Sequence, residues 1–371
     1  MKNIKKRSLI LSSLLLFTMY ASYSQHSNNE EIKFNKSEQT LGNTQTLGMA
    51  VADIDRDGDQ DIFTANKVGP SKLWINDGNG AFTQSNQIFN VQEVHDVGIA
   101  DFNKDTYPDI FLLGHASPGK IYINNGDTSF TESDQLIGSP TNYPNTIDLG
   151  DIDADGDIDA FIYNFGKSNG LWLNDGNGFF TKNNTDLGGR DGKRFKMADY
   201  NGDSYPDLFV IMRGKANQLL INDGHGVFVS NGQPIGVGGQ WPECKDFDQD
   251  GDIDIIISNS DEITVWLNQN NNGSFVSSHH IDESGVIKFN LIDADLDGDY
   301  DVITTHIEKG NKLWVNDGNG NFTSLGVIFG NARVLSIECK DLDEDSDIDI
   351  ILGQAENTGG NTIYMNQFIK K

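Results

Sequence analysis

Residues 53–61 read DIDRDGDQD, and six variants of this nine-residue string follow along the chain. They are DFNKDTYPD at 101–109, DIDADGDID at 151–159, DYNGDSYPD at 199–207, DFDQDGDID at 246–254, DADLDGDYD at 293–301 and DLDEDSDID at 341–349. Their starts lie 48, 50, 48, 47, 47 and 48 residues apart. A fixed period of this size marks an array of one supersecondary unit. Oxygen side chains at alternate positions mark a calcium loop, since Ca²⁺ gathers about six to eight oxygen ligands.

Outward from the third loop, Thr146 to Asp151 is short and alternating, and Ala160-Phe-Ile-Tyr163 is continuously apolar. Leu171-Trp-Leu173, the turn Asn174-Asp-Gly-Asn-Gly178 and Phe179-Phe-Thr181 follow. Four short runs between turn residues, without helical period, predict a small antiparallel sheet. The Asn-Asp-Gly-Asn-Gly turn recurs at Asn76 and Asn316, with a near copy at Asn222. Such residues tolerate the positive φ of a tight hairpin. Two residues before the turn stand Trp74, Trp172, Trp266 and Trp314, with Tyr122, Leu220 and Tyr364 in the other repeats. This column is read as packing between sheets.

Seven such sheets predict an all-β fold, a seven-bladed β-propeller of four-stranded antiparallel blades. The last repeat stops soon after Tyr364-Met-Asn366, without a fourth strand. Phe34-Asn-Lys-Ser-Glu-Gln-Thr-Leu41-Gly42 resembles the fourth-strand segments at Phe180 and Phe228, so residues 32–42 are expected to complete blade seven. That clasp leaves no open edge in the ring.

The acidic loops, the apolar second strand and the turn Trp172-Leu-Asn-Asp-Gly-Asn-Gly-Phe-Phe180 resemble FG-GAP/VCBS repeats. Those repeats build the propeller of integrin α-subunits and of many secreted bacterial proteins. The resemblance covers residues 32–368. The Gly-Ala-Pro signature is absent, so the bacterial type is the nearer match and no integrin-like partner carries over. The family's calcium ligands carry over to the matching loop residues.

Those candidates are Asp53, Asp55, Asp57, Asp59 and Asp61 in loop one, and Asp101, Asn103, Asp105 and Asp109 in loop two. Loop three offers Asp151, Asp153, Asp155, Asp157 and Asp159, and loop four Asp199, Asn201, Asp203 and Asp207. Loop five offers Asp246, Asp248, Asp250, Asp252 and Asp254, and loop six Asp293, Asp295, Asp297, Asp299 and Asp301. Loop seven offers Asp341, Asp343, Asp345, Asp347 and Asp349. Positions 1, 3, 5 and 9 should turn side chains inward, and position 7 should offer its backbone carbonyl. Up to seven calcium ions are expected, in a structural role. Loops two and four, with Asn at position 3 and Tyr at position 7, should bind most weakly.

The net charge of −28 excludes nucleic acid as a partner on bulk charge. Thirty-one of the 55 acids occupy odd positions of the seven loops. Unneutralised, these clusters would repel themselves. Residues 1–24 read as a secretory signal peptide, with Lys2, Lys5, Lys6 and Arg7 before an apolar run from Leu9 to Tyr20 and cleavage before Gln25. That run is too short to span a bilayer, which needs about 20 residues. The mature chain is therefore expected to be exported, without a membrane span, and monomeric. Cys244 and Cys339 are expected as buried free thiols in core strands.

On the face opposite the acidic loops, residues 182–215 hold seven of the 27 basic residues. Arg190, Lys193 and Arg194 are placed in the loop leading into blade four, and Arg213 and Lys215 in its second-to-third loop. Trp241 is placed in the loop leading into blade five. These are the candidate ligand residues. Ordinary solubilising charge and rim packing stand beside that reading. No G-x-S-x-G, H-E-x-x-H or phosphate loop is present. The expected function is a secreted binding or adhesion module for a glycan or an extracellular protein. A polysaccharide lyase acting on an acidic polysaccharide is the alternative, and a scaffold in a cell-surface complex the third reading.

Overall fold

Each repeat forms one sheet because its second strand is apolar on both sides and its fourth is polar. In Asp109–Gly114 and Asp207–Met212 every residue is buried, as for a strand packed on both faces. The fourth strand of blade three, Phe180–Asn183, buries only its first residue fully. The structure, a computed structural model, describes residues 30–370 apart from 116, 166, 186, 188–190, 260, 307–309, 331–332, 356–359 and 368. The leader read at residues 1–24 lies outside the described residues. Seven four-stranded antiparallel sheets form a ring, a seven-bladed propeller, with no α-helix among the described residues. Blade three runs Pro144–Gly150, Asp159–Asn164, Gly170–Asn174 and Phe180–Asn183, from the axis outward.

The N-terminal strand Phe34–Thr40 pairs antiparallel with Thr362–Asn366, bringing Phe34 opposite Asn366 and Lys36 opposite Tyr364. Asn361 Nδ2 donates to the Leu41 carbonyl at 2.9 Å. Leu41 then packs with Trp74, Leu342 and Ile351, so the core between blades seven and one contains the clasp itself. The aromatic column thus packs between sheets here, and Tyr122 and Leu220 are buried as well.

A second closure uses the asparagine at the end of each blade's third strand. The side-chain amides of Asn76, Asn124, Asn174 and Asn222 donate to the carbonyls of Leu342, Ile54, Phe102 and Ile152 at 2.7–2.9 Å. Asn268, Asn316 and Asn366 donate to those of Tyr200, Phe247 and Ala294. Each acceptor is the second residue of the preceding blade's acidic loop. Seven buried bonds therefore run once round the ring, blade one bonding back to blade seven. Asn222→Ala is expected to cost about 1–3 kcal/mol, the range for leaving buried groups unsatisfied. The urea midpoint should fall with an unchanged slope.

Cys244 and Cys339 are free thiols, half-buried on the inner strands rather than fully enclosed. Cys244 lies against the Met197 carbonyl of the adjacent blade, and burial pushes its thiol up to about 11.

Candidate functional site

The acidic loops gather on one face. In five of them, loops one, three, five, six and seven, three carboxylates bring oxygens within 4.8 Å of one another and could hold a metal ion. Positions 1 and 3 supply the core of each group. The Oδ1 atoms of Asp53, Asp55, Asp151, Asp153, Asp246, Asp248, Asp341 and Asp343 are buried without a hydrogen-bond donor. Burial and the neighbouring Asp57 and Asp53 push the Asp55 carboxyl up. Burial also pushes Asp153 up, with Asp155 and Asp151 adding to it. Unpaired, converging carboxylate oxygens are the donor set of a hard divalent cation.

Loops two and four differ in the way their sequences suggest. Asn103 Nδ2 donates to Asp105 Oδ2 at 2.9 Å, and Asn201 Nδ2 to Asp203 Oδ2 at 2.8 Å. Each amide binds the position-5 carboxylate, which in loops one, five and six belongs to the converging group. Both loops also hold a non-glycine residue at positive φ in position 6, Thr106 at 81° and Ser204 at 73°, as loop seven does with Ser346, where loop one has Gly58. That conformation is costly for a residue carrying a Cβ, most of all a β-branched one.

Position 9 has a role that ligand counting missed. Asp61 Oδ2 accepts from the Ile54 N–H and Oδ1 from the Asn76 N–H, at 2.9 and 2.8 Å. The same pair of bonds recurs at Asp109, Asp159, Asp207, Asp254, Asp301 and Asp349. This carboxylate ties the acidic loop to the end of the third strand of its own blade. Burial pushes Asp61 up to about 7, although both backbone bonds pull it down. The position-7 side chain lies on the same turn. A Cβ built on Gly78 would come within 2.6 Å of Asp59 Oδ2, so that turn accepts no side chain.

The opposite face carries a different chemistry. Lys193 and Arg194 lie on the inner strand Gly192–Ala198, not in a loop, because the strand starts earlier than its charges suggest. Trp241 likewise opens the inner strand Trp241–Lys245. Arg190 lies outside the described residues. Lys215 points to solvent and pairs with Asp191. Lys182 sits exposed on an outer strand, and Lys196 pairs with Glu243 at 2.8 Å inside the axial channel. The seven-residue basic cluster is therefore dispersed, and only part of it meets.

What does meet is a row of alternating aromatic and cationic side chains. Phe165, 55 % exposed on the rim, has Arg213 over its ring at 4.5 Å. Arg213 Nη2 donates to the Tyr163 hydroxyl at 3.0 Å. Arg194 lies over Tyr163 at 5.5 Å and over Trp241 at 4.0 Å. Lys288, from blade six, lies over Trp241 at 3.4 Å. Such contacts hold a cation in place without a carboxylate. Tyr143, half-exposed and held at φ 53°, flanks the row, with its carbonyl accepting from the Phe165 N–H at 2.9 Å. The row ends at the mouth of the axial channel, a cavity of about 340 Å³ lined by Lys67, His95, Asp96, Arg194, Trp241 and Lys288, among others. Burial pushes Lys288 down to about 8, and Arg194 adds to the effect. Burial also lowers His95 to about 4, with His115, Lys67 and Arg194 contributing.

A ring of seven four-stranded sheets with an acidic hairpin in each blade defines a β-propeller of repeats. Residues 53–112, 101–162 and 246–304 match the FG-GAP-like repeat family. The protein is an FG-GAP-like repeat β-propeller. No curated protein matches the chain. Among solved structures it is similar to the BP39L lectin from Burkholderia pseudomallei, with 11% identity, TM-score 0.68, and 89% of this chain and 99% of that chain covered. It is also similar to an Agrocybe aegerita lectin described as recognising non-reducing terminal N-acetylglucosamine. That match has 22% identity, TM-score 0.59, and covers 76% of this chain and 81% of that one. A third is BBS1N, solved in complex with ARL6DN, with 11% identity, TM-score 0.62, and 88% and 93% covered. These likenesses establish the fold, and lectins among them are compatible with a binding module. No helix of the described residues is long and apolar enough to cross a membrane.

Proposed function

We propose that the protein is a secreted, calcium-binding propeller that acts as a carbohydrate-binding module on the face opposite its acidic loops, with an acidic glycan as ligand. The row from Phe165 to Lys288 carries this reading. It offers the exposed Phe165 ring for a sugar and cations for carboxylates or sulfates, in a chain of net charge −28. Lectins among propellers of the same shape support it. The converging, donor-free carboxylates of the loops support calcium, which would supply only charge neutralisation and rigidity there. The signal-like residues 1–24 support export.

The test is a glycan array rich in uronic and sulfated polysaccharides, run in calcium with the wild type and Arg213→Ala. Losing a charged hydrogen-bond donor should weaken binding about tenfold or more. Absence of binding, or equal binding by the variant, overturns the reading. A second reading, eliminative cleavage of a uronate chain, is favoured by one observation: Arg213 sets a cation on the Tyr163 hydroxyl beside the pocket that holds His95. Ultraviolet absorbance of an unsaturated product from the bound polysaccharide would decide for it.

A further inference from the structure

The upper axial chamber is lined by four cations, Lys67, Arg194, Lys288 and Arg333, and by one carboxylate, Asp96. Among the described residues Lys288 Nζ has no carboxylate within ion-pair distance, and it rests on the Trp241 ring. Arg194 donates to the side-chain carbonyl of Asn145, a neutral acceptor, and its Nε is buried without a partner. The carboxylate on the same level, Asp96, is felt by both cations but forms an ion pair with neither. Its Oδ1 accepts from the Val97 N–H and its Oδ2 from the Ile147 N–H, both at 3.1 Å. Lys67 and Arg333 add charge at the rim. One carboxylate to four cations leaves the chamber with excess positive charge, and the two cations on one indole mark the place of a further anion.

Beneath this mouth the channel continues as a second chamber of about 200 Å³, sharing Asp96, Trp241 and Lys288 with the first. Its floor is acidic. Glu243 is held by Lys196, and Glu338 is pushed up to about 8, chiefly by burial and then by Glu243. A protonated or hydrogen-bonded carboxyl at that depth is a partner for hydroxyls. The occupant that satisfies both levels carries one anionic group and several hydroxyls on a compact ring. The inner strands wall the channel around the axis, so a ring can be seated end-on while a chain has to run out over the row.

We propose that this axial pocket binds a single sugar-acid residue, its carboxylate held between Lys288 and Arg194 against Trp241 and its hydroxyls directed at the acidic floor. This rests on the glycan reading above for the source of the residue, the end of an acidic chain, whereas a free sugar acid presents the same chemistry.

Isothermal titration calorimetry on the full mature protein in calcium tests it, with D-galacturonate, D-glucuronate, trigalacturonate and methyl D-galacturonate ester as probes. The acids are expected to bind and the neutral ester to bind at least about tenfold more weakly. Lys288→Met should lose acid binding by about the same factor, while Lys288→Arg, which keeps the charge, should retain it. Lys182→Ala, on an outer strand, should match the wild type. A melting curve for each variant separates misfolding from lost recognition. Failure of both acids and the trimer to bind, equal binding of the ester, or undiminished binding by folded Lys288→Met overturns the proposal. Array hits without binding of these probes overturn it while leaving the glycan reading standing. Binding of the monomers without any polymer hit supports the pocket and identifies the free acid as its source, and then the glycan reading falls.

Discussion

Removal of calcium with EGTA is expected to lower the melting temperature by about 15–20 °C. Carboxylates converge in five of the loops. A site held at a hundredfold excess over its dissociation constant adds about 2.7 kcal/mol, so five independent sites add about 13 kcal/mol. Unfolding entropy is about 2.1 cal/mol/K per residue near the midpoint, or roughly 0.7 kcal/mol/K for a chain of this size. Their quotient gives the shift. The loss is comparable to the whole net stability of a typical domain, about 5–15 kcal/mol. Repulsion among carboxylates such as Asp53, Asp55 and Asp57 then acts unopposed. Equilibrium titration should count nearer five tight ions than seven, because the Asn103 and Asn201 amides already satisfy their loops. A melt unchanged in EGTA would sink the calcium reading.

Asp207→Ala is expected to cost about 2–6 kcal/mol even without calcium, because two buried backbone N–H groups lose their acceptor at about 1–3 kcal/mol each. Those groups are the amides of Tyr200 and Asn222, bonded at 3.1 and 2.9 Å. Loop four is the right place to measure it, since it is one of the two loops expected to bind a cation most weakly. Asp207→Asn should be nearly as damaging, because its NH₂ group must face an N–H that needs an acceptor. Denaturant unfolding of both variants in EGTA decides the matter. If the destabilisation disappears on chelation, position 9 acts through the metal rather than through the two backbone bonds.

The fold was legible because its evidence lies along the chain. A period near 48 residues, apolar second strands and Asp-Gly turns specify a blade locally, and the Phe34 to Gly42 segment matches the fourth strand that the last repeat lacks. Carboxylates at alternate loop positions were equally plain. The double role of position 9 was not, because one of its partners lies 15 residues away, across a hairpin. The axial pocket was hidden for a stronger reason. Asp96, Arg194, Trp241 and Lys288 each stand five residues before the first aspartate of a loop, one per blade. Read in chain order they are four isolated residues. Only the ring brings the column together, and a column-by-column reading of the repeat was the signal that could have found it. The basic cluster at 182–215 misled for the converse reason, since neighbours in sequence alternate between the faces of a strand.

The pairing of Phe34 with Asn366 sets an order of events during synthesis. A ribosome delivers Phe34–Thr40 long before its partner Thr362–Asn366. Through that interval the strand has no sheet to join. Its exposed positions, Asn35, Lys36 and Glu38 among them, are polar, which blunts the tendency of a waiting edge to recruit another chain. Closing so long a loop is slow relative to pairing within a hairpin. The blades can therefore form one by one as they emerge, whereas the ring as a whole shuts in a single terminal step, and a chain interrupted before residue 362 is left with its first strand permanently unmatched.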